Sequence, residues 1–314
     1  MEEQHPRKRS RQHFETHPTP TTVLEAPFHG RSKWYFSKEE IEHFSPSRKD
    51  GIALEKESYL RASYCSFLQR LGMQLCVSQG IISCAMVLCH RFYMCQSHAK
   101  NDWQMVATAS LFLACKAKDE PCQLSGFVVA AYEIIFEWDP SASMRIHQTE
   151  NYYEFKELIL AAERLLLDTI AFDLDIELPY EPLDAALNRL NVWPDVATAA
   201  WNFVNDWVRT TLLLQYKPHV IATASVHLAA MFQSSRIGNR RDWWSEFGVT
   251  TKQLREVIHE MCILLELERR RAFPPPSREF AWPLPPAGKP MHTATTYPFH
   301  HGHHLPSHRQ PRIW

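Results

Sequence analysis

The sequence predicts an all-α chain built as two tandem five-helix bundles between two disordered tails. Three observations carry this reading. Residues 105–117 read MVATASLFLACKA and residues 220–232 read VIATASVHLAAMF, so one apolar pattern is written twice. Neither copy has a polar stripe, and a helix that is apolar all round must be enclosed by other helices. Around both copies the apolar residues recur at helical spacing, and no segment reads as a convincing strand.

The elements follow in order. Residues 1–33 are polar and punctuated by proline, a composition that resists folding. They carry PRKRSR, where Arg7, Lys8, Arg9 and Arg11 form either a solvated charge run or a nuclear-import signal. Order begins at WYFSKEEIEHF. Ser37 and Glu40 make a capping box for a short helix, and Trp34, Tyr35 and Phe36 fasten it to the body. A longer helix spans 55–71, with Tyr59, Ala62, Phe67 and Leu71 at helical spacing and Gly72 as its stop. The next, VSQGIISCAMVLCHRFYMCQS, is capped by Ser78. Asn101 or Asp102 caps the first apolar rod. GFVVAAYEIIFEW is the fourth helix of the bundle. After the loop DPSASMRIHQTE comes the fifth, YEFKELILAAERLLLDTIAF.

The pattern then restarts. PYEPLDAALNRL has Pro182 in its first turn, where a missing N–H costs nothing. DVATAAWNFVNDWVRTTLLL is the second helix, and Pro218 starts the third, which is the second apolar rod. DWWSEFGV is an aromatic connection or short helix. Thr250 and Gln253 cap KQLREVIHEMCILLELERRR. From Ala272 onward the chain is rich in proline and ends in a histidine cluster. The expected organisation is a disordered basic segment 1–33, a first bundle with its lead-in helix over 34–175, a second bundle over 176–272, and a disordered tail over 273–314.

Composition excludes several classes. A net charge of −1 argues against bulk electrostatic binding of nucleic acid. The eight cysteines include no CxxC pair, so they read as buried free thiols rather than a zinc site. No apolar run reaches the roughly 18 residues that span a bilayer, so a soluble intracellular protein is expected. His300, His301, His303 and His304 bind metal adventitiously at most, and no metal or cofactor is expected. With nine glycines and no phosphate-cradling, nucleophile-elbow or zincin motif, an enzyme reading has no support.

Two charges stand out. Lys116 ends the first rod, where a cation complements the helix's negative end. Met231 occupies the same place in the second rod, an apolar residue expected to serve the fold alone. Glu163 interrupts an apolar flank formed by Ile159, Leu160, Leu166 and Leu167, with no basic partner three or four positions away. It reads as a carboxylate paired with something distant, or as one with a task.

HRFYM at 90–94, ATASLFLACKAKDEP at 107–121 and AERLLLDTIAFDL at 162–174 resemble the first cyclin box. WNFVNDWVRTTLLLQYKPHVIATASVHLAA and WWSEF resemble the second box of transcriptional cyclins, and WYFSKEEIEHFSPSR is similar to the lead-in of the cyclin T and cyclin K branch. The resemblance covers roughly residues 34–270. It is closest to the cyclin T family in its short plant-type form, with cyclin K beside it.

The resemblance implies two cyclin-box bundles and a non-catalytic subunit that activates a transcriptional cyclin-dependent kinase. The kinase's catalytic subunit is then the partner, the C-terminal domain of RNA polymerase II the substrate of the complex, and the nucleus its location. It also implies that Lys116 and Glu163 grip the kinase's αC region. Two departures qualify it. Where cell-cycle cyclins carry M-R-A-I-L, this chain has Leu60 to Tyr64, LRASY, so recruitment of cell-cycle substrates through that patch is not expected. The histidine-rich tail is also brief. The alternatives are a cyclin-K-like activator of a different kinase and a factor-IIB-like DNA-binding protein; the latter wants a basic core surface and a zinc ribbon, neither of which the sequence has.

Overall fold

Twelve α-helices and two one-turn 3-10 helices make up the described part of the computed structural model, which covers residues 34–120, 122–237 and 242–272, with side chains through residue 266. No strand occurs among these residues. Both tails lie outside them, and with the tails Arg7, Lys8, Arg9, Arg11 and the histidines at 300, 301, 303 and 304. In chain order the helices are α1 Lys38–His43, α2 Pro46–Lys49, α3 Leu54–Gln74, α4 Gln79–Cys95, α5 Trp103–Ala117, α6 Leu124–Ile135, α7 Ala142–Ile146 and α8 Thr149–Ile170. They continue as α9 Tyr180–Leu190, α10 Pro194–Val208, α11 Pro218–Phe232 and α12 Thr251–Ala272. The 3-10 turns are Thr211–Leu214 and Trp243–Phe247.

The two rods are α5 and α11, and each is the centre of its bundle. Val106 to Cys115 is buried without interruption, and α11 is buried on nearly every side. Their polar residues match position for position. Thr108 and Ser110 donate to the carbonyls of Gln104 and Val106, and Thr223 and Ser225 donate to those of His219 and Ile221. Each buried hydroxyl is thus satisfied within its own helix, so small residues that let neighbours approach carry no unpaired donor.

Capping explains most helix starts. Glu40 N donates to Ser37 Oγ and Ser37 N donates to Glu40 Oε2, the reciprocal box expected for α1. Asp102, rather than Asn101, caps α5 by accepting from the backbone of Gln104 and Met105. Thr250 and Gln253 form the box that opens α12. Ser78 stands at the N-cap of α4, but its side chain makes no capping bond.

Local departures have physical reasons. Gly72 does not stop α3; it lies inside the helix, where a Cβ would come within 2.4 Å of Ile82 Cγ1. Its role is to let α4 approach. Tyr59 is 39% exposed, because the buried face of α3 runs through Leu60, Tyr64, Leu68 and Leu71 instead. The loop after α6 contains α7, started where Asp139 Oδ1 accepts from Ser141 N and Oγ. The second helix of the second bundle ends at Val208, and Thr210 Oγ1 accepts from Leu212 N to begin a 3-10 turn. Cys65, Cys84, Cys89 and Cys115 are buried free thiols as expected, whereas Cys76, Cys95 and Cys262 are exposed.

The lead-in segment is tied to both bundles. Trp34 Nε1 donates to Asp173 Oδ2 at 2.8 Å, and the Arg91 guanidinium lies 5.0 Å from the Trp34 ring centroid. Phe36 N donates to the Leu214 carbonyl at 2.7 Å, and Lys38 pairs with Glu260 of α12 at 2.8 Å. Directly between the bundles, Arg209 donates to Ser66 Oγ at 2.8 Å, and the Tyr180 hydroxyl joins Ser83 to Asn205.

Candidate functional site

Lys116 is in the last turn of α5 and Glu163 is in the C-terminal half of α8, which packs beside the rod. The structure brings them together as an ion pair across the helix interface. Of the two readings the sequence left for Glu163, the structure supplies the distant partner, and it is Lys116. The two side chains are unequal: that of Lys116 is 44% exposed and that of Glu163 is 9% exposed. A carboxylate buried this deeply depends on its cation, because an unpaired buried charge is costly.

The surroundings hold this geometry. The Phe112 ring lies under the ammonium, with Lys116 Nζ 4.4 Å from its centroid. Glu120 N donates to the Cys115 carbonyl at 3.0 Å, folding the chain back at the end of α5. This brings Cys122 near Cys115, whose thiol it helps to keep protonated. Burial pushes the Cys115 thiol up to about 12, so it stays protonated and inert.

Chemically, the pair sets a half-exposed ammonium, which can only donate, above a largely buried carboxylate, which can only accept. Among the described residues no group of three or more His, Cys, Asp or Glu side chains is arranged to hold a metal ion.

Met231, the counterpart of Lys116, corrects the expectation that it serves the core. It is 60% exposed, as is its neighbour Phe232 at 65%. The reason is positional: the last turn of each rod emerges from its bundle, so residue 116 and residue 231 both reach solvent. In the LRASY strip, Leu60 and Tyr64 are buried, and Arg61 is paired with Glu57 at 2.7 Å in the interior. Leu60 and Tyr64 thus face the interior, while Ala62 and Ser63 are half-buried.

Sequence reasoning missed the Phe112 ring and a buried polar chain running Glu57, Arg61, Tyr64, His90. Signals for both were present. Phe112 precedes Lys116 by one helical turn, Glu57 and Arg61 are four apart, and His90 interrupts an apolar run.

Comparisons with known proteins agree with this architecture. The family model "Cyclin, N-terminal domain" matches residues 31–175. The chain is 70% identical to Cyclin-T1-3 of Arabidopsis thaliana over 318 aligned residues, covering 100% of each chain. It is 50% identical over 250 residues to Cyclin-T1-3 of Oryza sativa subsp. japonica, covering 79% of this chain and 51% of that protein, so the match spans about half the rice protein. Among solved structures, a chain of the yeast RNA Pol II CTD kinase CTDK-1 complex superposes with a TM-score of 0.63 at 18% identity, covering 73% of this chain and 72% of that one. At that identity the likeness is one of fold.

Proposed function

This chain belongs to the cyclin T family, and from that premise we propose that it is the regulatory, non-catalytic subunit of a transcriptional cyclin-dependent kinase. In this reading the complex phosphorylates the C-terminal domain of RNA polymerase II and promotes elongation. The observation that carries it is the ion pair of Lys116 and Glu163, an exposed donor and a buried acceptor at the one point where the first rod leaves its bundle.

The mechanism is a population shift. A cyclin-dependent kinase alone holds its αC helix away, so the Lys–Glu pair that orients ATP is unassembled. Lys116 and Glu163 bind αC only in its inward position, and that differential affinity drives the kinase to its active form. The second rod has Met231 at the matching place in its last turn and offers no such donor, so the kinase contact belongs to the first bundle. Full-length identity with a cyclin T relative favours this branch over the cyclin K alternative.

The experiment is purification of the tagged full chain from its native cells, with identification of the co-purifying kinase and assay on a polymerase-tail peptide. A bound, activated kinase is expected; a chain that purifies without any kinase contradicts the reading. In the same cells Arg7, Lys8, Arg9 and Arg11 are proposed to direct nuclear import. A quadruple alanine variant that still accumulates in the nucleus assigns import to the bound kinase or another segment.

A further inference from the structure

The Lys116 ammonium has a second partner besides Glu163. The Phe112 ring lies on the same face of α5, one turn before Lys116, with its centroid 4.4 Å from Nζ. The ring is itself held: it is 8% exposed, and Phe127 of α6 meets it edge-on at 5.3 Å. A lysine is a compact charge on a flexible four-carbon stem, and this one is nearly half exposed. An ion pair alone leaves the stem several rotamers, whereas an aromatic face attracts the cation through its quadrupole and removes some of them.

The duplicated rod supplies an independent comparison. The counterpart of Phe112 is His227, and the counterpart of Lys116 is Met231. Where the cation is missing, the phenyl face is missing too. His227 is turned to other work, packed between Trp243 and Trp244 with ring centroids at 6.1 and 5.6 Å. The two positions have changed together between the copies.

We propose that Phe112 is a positioning residue for the kinase contact, holding the Lys116 ammonium in its binding orientation through its ring face. The proposal rests on the reading of Lys116 and Glu163 as the pair that grips the kinase. In this role Phe112, largely buried, acts through Lys116.

The test is a double-mutant cycle read as affinity for the kinase subunit that co-purifies with the full chain. Phe112→Leu weakens binding by about two- to fivefold, the worth of one exposed cation–π contact. In a Lys116→Met background the same change has no further effect. Phe112→Tyr retains wild-type affinity. Pentafluorophenylalanine at position 112 keeps the shape of the ring and reverses its electrostatics, so it must weaken binding as Phe112→Leu does; this arm holds even where Phe112→Leu folds poorly. If Lys116→Met binds normally, the kinase-gripping reading fails. If Lys116→Met binds weakly while pentafluorophenylalanine binds normally, that reading stands and the role of Phe112 is overturned. Equal losses from Phe112→Leu in both backgrounds mean packing only, and overturn it as well.

Discussion

His90 on α4 donates its Nε2 proton to the carbonyl of Val208 at 3.3 Å, bonding the first bundle to the end of α10 in the second. A carbonyl can only accept, so Nε2 carries the proton and Nδ1 accepts from the Tyr64 hydroxyl. The ring is neutral, and burial, with Arg61 adding repulsion, pushes its pKa down to about 3. His98, stacked on Tyr93 at 3.5 Å, is pushed down to about 2 by burial, Arg61 and His90.

Acid should therefore loosen the fold well above the carboxylate range. Below the ordinary histidine value of 6.5 the unfolded chain binds protons on these rings and the folded chain does not. Stability falls as pH drops through that window towards 3, by up to about 1.4 kcal/mol per pH unit for each ring. Denaturant melts of the full chain at pH 7.5, 6.5 and 5.5 check this, with the loss concentrated in the lower interval. A flat profile from 6.5 to 5.5 contradicts the buried neutral rings.

Gly72→Ala should destabilise the chain by about 1–3 kcal/mol, although the same change in an open helix stabilises. The added methyl would come within 2.4 Å of Ile82 Cγ1, an atom near the backbone of a packed helix that cannot swing away. Thermal melts of Gly72→Ala and Gly72→Val should fall in that order. A rise in Tm for Gly72→Ala would mean that α3 and α4 do not approach as described.

Met231→Ala should change stability by no more than about 0.5 kcal/mol, since the side chain is 60% exposed. Met261 on α12 is the control: it is fully buried, and Met261→Ala should cost about 2–5 kcal/mol. Comparable melts for the two variants would show that residue 231 is covered in solution.

The sequence made the helical bundles legible because each signal was local and repeated. The capping boxes at Ser37 and Thr250, the starts at Asp102 and Pro218 and the two apolar rods all follow from residues within one helical turn or from buried periodicity. Lys116 and Glu163 could each be singled out, but their pairing could not, because 47 positions separate them and only the packing of α8 on α5 joins them. Gly72 was misread for a related reason. A glycine near a helix end looks like a stop, and the alternative, a close crossing by Ile82, is a tertiary fact. Met231 was misread because apolar character suggests burial, while exposure at a rod's last turn depends on where the bundle ends.

Residues 1–33 and 273–314 should be dispensable for kinase binding, since their polar and proline-rich composition carries no core-forming pattern. The fragment 34–272, titrated with the kinase beside the full chain, should bind with the same affinity. A loss of tenfold or more would assign contacts to a tail.

The central claim is that the kinase contact belongs to Lys116 and Glu163, and affinity for the co-purifying kinase tests it most directly. Each charge-assisted hydrogen bond contributes about 1.5–3 kcal/mol, and 1.4 kcal/mol is a factor of about ten. Lys116→Ala and Glu163→Ala should each weaken binding at least about tenfold while the variant chains still melt cooperatively, with Met231→Ala binding as the unaltered chain does. Lys116→Ala and Glu163→Ala chains that bind normally, beside a Met231→Ala chain that does not, would contradict the account and move the contact to the second rod.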